Sequence, residues 1–181
     1  MRPRLTVFTG SRFGADPQYA DAAAALGHRL AQRGVGLVYG GGHVGLMGVV
    51  ADAAVAAGGE VICVIPEHMV EEEDGHERIT RLEIVNDMHA RKTRMAELGD
   101  AFLAMPGGIG TLEELFEIWA WRHLGLHQGQ FGVYDVGDFW QPLLQMAQHM
   151  VEAGFLSEAA HQVLHVFTTP DDVIDGLLSR R

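Results

Sequence analysis

Three apolar stretches of this chain run straight into a glycine-rich turn, and a segment with helical periodicity follows each turn. The stretches cover residues 5–9, 35–39 and 101–105, and their turns begin at Gly10, Gly40 and Pro106. Strands that are apolar throughout are buried on both faces, which is typical of a parallel sheet covered by helices on both sides. We therefore expect a three-layer, Rossmann-like α/β fold with an open parallel sheet.

The rest of the sequence continues this alternation of strands and helices. Strands are predicted at residues 5–9, 35–39, 60–65, 82–85, 101–105, 131–134 and 165–168, and helices at 19–32, 44–57, 87–98, 112–124, 139–153 and 170–178. Residues 67–78, with the acidic run 71–74, are predicted to form a loop. Because no linker or internal repeat interrupts the pattern, residues 1–181 are expected to form a single domain.

Composition excludes several classes of partner. The formal net charge of −11 argues against a nucleic-acid duplex or an anionic membrane surface as partner. No apolar stretch approaches the ~20 residues of a membrane span, and Met1 to Arg4 lead into the first strand without a signal peptide. The single cysteine, Cys63, lies in an apolar strand, so it is expected in the core and fits a reducing compartment. A cytoplasmic protein is expected.

The turn that begins at Pro106 is the strongest indication of function. Ligands of open α/β sheets bind beyond the carboxyl ends of the strands. The glycines let the backbone approach a ligand closely, and the following helix contributes N–H donors and a positive dipole end. A phosphate site at residues 107–111 is therefore predicted. Thr111 and Glu114 add a hydroxyl and a carboxylate that a simple anion site does not need, which indicates chemistry.

The same Thr111-x-x-Glu114 spacing has a structural interpretation. It matches a capping box, in which the threonine caps the helix and the glutamate returns to the cap amide. Thr111 can serve both purposes, whereas a Glu114 that is folded back on the cap is less free to act on a substrate.

The helix predicted at residues 87–98 is the most basic segment of the chain. Its helical spacing places Met88, Arg91, Lys92 and Met95 on one face. Cations on a core-facing stripe are costly unless they are paired, and Arg91 can bind a phosphate or carboxylate bidentately. A functional role beside the glycine turn is favoured. The alternative is a pair of surface cations whose stems cover apolar area.

The turn after the second predicted strand, from Gly40 to Gly45, is a literal G-x-G-x-x-G. A dinucleotide site is not favoured, because that fingerprint normally follows the first strand and an acidic residue closes the next one. A tight turn against a nucleotide phosphate or ribose is favoured, and close packing at Gly45 and Gly48 is the alternative. The histidines show no metal-ligand spacing, so no metal and no cofactor are expected.

Taken together, these motifs resemble those of a known family. Residues 106–114 fit the P-G-G-x-G-T-x-x-E signature of the Lonely Guy family of cytokinin-activating phosphoribohydrolases, and Gly10-Ser11, residues 40–48 and residues 88–92 with Met95 agree with it. The resemblance covers about residues 5–155. It implies hydrolysis of the N-glycosidic bond of an N6-substituted adenosine 5′-monophosphate or of AMP, without a metal. It also implies a homodimer with the site near the subunit interface.

The resemblance also assigns roles to residues of this chain. Arg91 and Glu114 match the family's catalytic pair, and Glu73 falls where the family has a substrate-binding glutamate. Together with the turn analysis, the predicted substrate-binding residues are Gly10, Ser11, Gly41, Gly42, Glu73, Arg91, Lys92, Gly107, Gly108, Ile109, Gly110, Thr111, Leu112 and Glu113. Among the departures, Ala120 replaces a frequent threonine and Arg12 occupies a usually small position, and both bear on substrate preference.

Two other functions compete. A non-hydrolytic carrier of a nucleotide or of the molybdenum cofactor, with a related fold, has a similar Pro-Gly-Gly turn, but Arg91, Lys92 and Glu114 argue against it. The older description of the Lonely Guy family as lysine decarboxylases would require pyridoxal phosphate. That cofactor forms a Schiff base with a lysine, and Lys92 is the only lysine in the sequence.

Overall fold

The computed structural model describes residues 2–73 and 79–178, with the backbone alone for residues 71–73. Its centre is a sheet of seven strands in the order β4-β3-β2-β1-β5-β6-β7, and every neighbouring pair is parallel. The strands are β1 (Arg4–Phe8), β2 (Gly36–Tyr39), β3 (Val61–Pro66), β4 (Arg81–Val85), β5 (Ala101–Ala104), β6 (Gln130–Tyr134) and β7 (Leu164–Phe167).

Helices cover both faces of this sheet. They are α1 (Gln18–Gln32), α2 (Gly45–Ala56), α3 (Met88–Leu98), α4 (Ile109–His123), α5 (Gln141–Glu152), α6 (Glu158–Gln162) and α7 (Pro170–Leu178), and a 3₁₀ helix spans Glu67–Glu73. The buried side chains of α1, α2 and α7 join one hydrophobic cluster, and those of α3, α4 and α5 join the other. The predicted three-layer parallel fold is confirmed.

Successive side chains of a strand point to opposite faces of the sheet and therefore join different hydrophobic clusters. In β3, Val61, Cys63 and Ile65 belong to one cluster, whereas Ile62 and Val64 belong to the other. Cys63 is fully enclosed in the core, as predicted. No helix in the described part of the chain has the length and apolar character needed to cross a bilayer.

The strand order places a topological switch at the centre of the sheet. The chain leaves β1 towards β2, β3 and β4 on one side, and then returns to β5 on the other side of β1. Connections therefore diverge at the carboxyl ends of β1 and β5, where open α/β sheets form a ligand crevice. The glycine turns after β1, β2 and β5 all meet at this edge.

Several predicted boundaries are wrong, and one error bears on the site. Helix α4 begins at Ile109 with Gly108 as its cap, three residues before the predicted start. Thr111 therefore lies inside the first turn and is not the cap, so the capping-box interpretation is wrong. The loop predicted from residue 67 is a 3₁₀ helix up to Glu73, and residues 74–78 lie outside the described part.

Candidate active site

The turns after β1 and β5 are joined directly. The Thr9 hydroxyl and the Gly10 N–H both donate to the Pro106 carbonyl, at 3.0 and 3.2 Å. A Cβ atom at Gly10 would lie 3.2 Å from the Gly107 Cα, so the two backbones touch. These contacts fix the phosphate-binding turn predicted from sequence against the end of the neighbouring strand.

The first turn also holds the start of α2. The Gly10 carbonyl accepts hydrogen bonds from the N–H groups of Leu46 and Met47, at 3.1 and 3.4 Å. A Cβ atom at Gly48 would overlap the His43 carbonyl, and one at Gly45 would overlap the Ser11 backbone. The glycines at the start of α2 therefore serve close packing, which was the alternative considered for this motif. Two of the helix's first N–H donors already have protein acceptors.

A cavity of about 640 Å³ opens at the switch point between β1 and β5. The residues that line it are Thr9, Gly10, Ser11, Arg12, Phe13, Gly14, Tyr19, Leu46, Met47, Met88, Arg91, Pro106, Gly107, Gly108, Ile109, Gly110, Thr111, Glu113, Glu114 and Phe139. Most of the predicted substrate-binding residues are therefore brought together around one space large enough for a small ligand.

The amino end of α4 points its donors into this cavity. In any α-helix the first N–H groups have no partner within the helix, and here these belong to Ile109, Gly110 and Thr111. A Cβ atom at Gly108 or Gly110 would meet nothing within 4 Å, so the approach to these donors is open. The arrangement fits an anion, because the helix dipole adds to the free donors.

Arg91 is a buried residue of the cavity lining. Its guanidinium packs against Gly40 so closely that a Cβ atom there would lie 2.6 Å from Cζ. Nη1 donates to the Met88 sulfur at 3.6 Å, and Nε has no hydrogen-bond partner among the described residues. A buried donor without a partner carries a free-energy cost, which Arg91 bears in the folded protein.

Glu114 lines the same cavity and lies next to Arg91. Its Oε1 lies 3.6 Å from Nη2 of Arg91, and the two side chains are only 12% and 10% exposed. Burial raises the pKa of Glu114 to about 7, although the charge of Arg91 opposes the shift. A distance of 3.6 Å is an ion pair without a close hydrogen bond. The carboxylate therefore keeps acceptor capacity for a substrate or a water molecule.

Lys92 is not among the residues that line this cavity. Its Nζ lies 2.5 Å from Glu113 and 3.1 Å from Glu117, so it bridges α3 to α4. Burial lowers the pKa of Lys92, but the hydrogen bonds and charges of these two carboxylates outweigh it and leave the pKa above its ordinary value. Lys92 is thus a protonated, doubly paired ammonium.

Other predicted ligands also stand apart from the cavity. Gly41 and Gly42 are buried in the turn after β2 with φ angles of 85° and 93°, and Leu112, in the first turn of α4, packs half-buried against the hydrophobic cluster of α3, α4 and α5. The side chain of Glu73 lies outside the described residues, so its predicted role stays a prediction. No trio of His, Cys, Asp or Glu side chains placed to hold a metal occurs within residues 2–70 and 79–178.

Sequence reasoning missed an aromatic wall of the cavity. Phe13, Tyr19 and Phe139 line it, and the rings of Tyr19 and Phe139 meet edge to face with centroids 5.9 Å apart. The available signal was their position, because Phe13 follows the first glycine turn and Phe139 follows β6 at the same sheet edge. Neither has a motif that would single it out.

Fold and site together define an open α/β protein with a candidate anion site and a buried arginine–glutamate pair beside it. The family described as "Possible lysine decarboxylase" matches residues 47–177. A probable cytokinin riboside 5′-monophosphate phosphoribohydrolase of Oryza sativa subsp. japonica is 44% identical over 96% of this chain and 71% of its own length. The chain therefore belongs to this family, the Lonely Guy family that its motifs resemble.

Further relatives and solved structures agree with this assignment. Proteins named cytokinin riboside 5′-monophosphate phosphoribohydrolase are 45% identical in Rhodococcoides fascians, over 86% of this chain and 79% of theirs, and 41% identical in Arabidopsis thaliana, over 96% and 81%. A molybdenum cofactor binding protein of Rippkaea orientalis superposes with a TM-score of 0.70 over 97% of this chain and 94% of its own, at 19% identity. That last likeness concerns the fold alone.

Proposed function

We propose that this protein hydrolyses the N-glycosidic bond of N6-substituted adenosine 5′-monophosphates, or of AMP, to the free base and ribose 5-phosphate. The observation that carries the proposal is the buried Arg91–Glu114 pair beside the amino end of α4. The names of the relatives at 41–45% identity support the same reaction.

The reaction needs a fixed phosphate and a carboxylate near C1′. The free N–H groups at the start of α4 hold the 5′-phosphate, and Glu114 lies one helical turn beyond Thr111, on the same side of the helix. Anchoring the phosphate therefore fixes the ribose relative to the carboxylate, which lowers the entropic cost of reaching the transition state.

Glu114 acts on the reacting centre. As the bond between C1′ and the purine nitrogen breaks, positive charge develops on the ribose and negative charge on the base, and the ionised carboxylate stabilises the ribose. Glu114 accepts a proton from the attacking water, whose oxygen bonds to C1′. The departing purine takes up a proton from solvent water, and Glu114 then returns its proton to solvent. Arg91 orients the carboxylate through Nη2.

The ion pairs of Lys92 argue against the decarboxylase chemistry that the family description suggests. A Schiff base requires an unprotonated amine, and the ammonium of Lys92 is held by Glu113 and Glu117 with a raised pKa. A lysine in this state has no free electron pair with which to attack an aldehyde.

A second copy of the chain covers the outer face of α4 in this proposal. The inner face of α4 is buried and carries Leu115, Ile118 and Trp119. Phe116 is 45% exposed, and Ile109, on the cavity rim, is 86% exposed. This is the two-sided apolar helix expected of a homodimer with the site near its interface. Sedimentation of the wild type and of Phe116→Glu should give a dimer and a monomer, respectively. A monomeric wild type would refute the dimer.

We propose that the protein is cytoplasmic, because its single cysteine, which is buried and free, fits a reducing compartment.

Product analysis tests the reaction directly. AMP and isopentenyladenosine 5′-monophosphate are incubated with the protein, and free base and ribose 5-phosphate are quantified by chromatography. Hydrolysis is supported if the wild type releases equal amounts of the two products and if Glu114→Gln and Arg91→Ala release neither. Tight binding with full recovery of the intact nucleotide would favour the carrier function instead.

A further inference from the structure

We propose that Arg12 is an additional ligand of the 5′-phosphate and makes this protein prefer nucleotides to nucleosides. The inference deepens the proposed function, because it takes from it the position of the phosphate at the amino end of α4. The predicted contact comes from the turn after β1 and is separate from the glycine turn after β5.

The position of Arg12 supports this role. It lines the same cavity as Gly107 to Thr111 and lies two residues beyond Gly10, whose backbone touches Gly107. The backbone of Ser11 and Arg12 packs against Gly45, where no larger residue would fit. Its side chain therefore starts from a fixed point beside the free donors of α4.

The distribution of charge around the cavity points to the same residue. Two arginines line it, and Arg91 is paired with Glu114, whereas Arg12 is exposed and forms no ion pair with any described residue. Two carboxylates, Glu113 and Glu114, also line the cavity of a chain with net charge −11. An incoming dianion needs an unpaired cation there, and a guanidinium binds phosphate oxygens bidentately.

The chemistry predicts which kinetic quantity responds. The phosphate is remote from C1′, and it is bound in both the ground state and the transition state. Such uniform binding affects KM and Kd more than kcat. A nucleoside has no phosphate, so its binding should be indifferent to Arg12.

The test measures binding separately from turnover. Kd values for AMP and adenosine are determined by calorimetry in the Glu114→Gln background, with Arg12→Ala, Arg12→Lys and, as a charge-matched control, Arg2→Ala. Arg2 precedes β1 at the opposite edge of the sheet and forms no ion pair with the described residues. Thermal unfolding of each variant verifies folding.

Arg12→Ala should weaken AMP binding by about 10- to 100-fold, the loss of one charge-assisted contact, while adenosine binding stays the same. The AMP affinity of Arg12→Lys should lie between that of Arg12→Ala and that of the Glu114→Gln background. Arg2→Ala should bind AMP as tightly as that background. An unchanged AMP affinity, or an equal loss for adenosine, would overturn the inference. If the wild type releases no base yet Arg12→Ala still weakens AMP binding selectively, only the proposed hydrolysis fails.

Discussion

The guanidinium of Arg91 occupies the space that any side chain larger than hydrogen would need at position 40. A Cβ atom at Gly40 would lie 2.6 Å from Cζ of Arg91 and 2.8 Å from its Nε. The third glycine turn of the sheet edge thus positions the arginine that faces Glu114, without itself lining the cavity. The turn from Gly40 to Gly45 has the spacing of a dinucleotide fingerprint, but in this protein its first glycine makes room for the Arg91 guanidinium.

Gly40→Ala should therefore displace Arg91 and reduce base release about as much as Arg91→Ala does. A double-mutant cycle on stability and kcat isolates the contact, because the alanine should cost little once the guanidinium is gone. Additive effects of the two substitutions would contradict this relationship.

The rate should depend on the ionisation of Glu114. Burial raises the pKa of this carboxyl to about 7, and the ionised form is the active one. In the free enzyme, kcat/KM should rise with pH and level off above about pH 7. The substrate phosphate loses its second proton near pH 6, which also affects the pH profile. Glu114→Gln lacks the carboxyl group, so the pH dependence of its AMP affinity reports the ionisation of the phosphate alone. A rate that falls between pH 6 and 8 would contradict the assignment.

The same shift makes Glu114 a source of instability at neutral pH. Below the ordinary carboxyl pKa the group is neutral in both states, but at higher pH the unfolded state ionises first while the folded state holds the proton up to about pH 7. Above that pH, Glu114→Gln should raise the free energy of unfolding by up to about 3 kcal/mol. Urea titrations at pH 4 and pH 8 measure it, and a gain of equal size at both would refute ionisation of the buried carboxyl as the cause.

Lys92 should contribute to stability through the link between α3 and α4. Lys92→Met keeps the apolar stem but removes the ion pairs with Glu113 and Glu117, so it should cost about 1–2 kcal/mol of unfolding free energy. AMP affinity should change less than in Arg12→Ala. A stable variant that no longer binds AMP would show instead that Lys92 contacts the nucleotide, as the family resemblance implies.

The sequence predicted the parallel sheet well because apolar strands and helical periodicity are local signals. It failed at the start of α4, where Gly108, Ile109 and Gly110 have the composition of a turn although the last two are helical. Helix α6 was missed because five residues are too few for a periodic pattern, even with Ser157 capping it.

The site divides in the same way. The glycine turn and the Arg91–Glu114 pair were predictable, since motif and helical face coincide. The ion pairs of Lys92 were not predictable, because its partners Glu113 and Glu117 lie on α4 and come next to α3 only in the folded chain. The rise in the pKa of Glu114 likewise comes from burial, which the sequence does not encode locally.

The turnover of Glu114→Gln tests the proposed role of this carboxylate most directly. Release of free base from isopentenyladenosine 5′-monophosphate is measured for the wild type, Glu114→Gln and the surface control Glu97→Gln, whose carboxylate is 58% exposed on α3. We expect a fall in kcat of about 10³-fold for Glu114→Gln, with AMP still bound, and a rate near that of the wild type for the control. A Glu114→Gln enzyme that released base at the wild-type rate would contradict a catalytic role for Glu114.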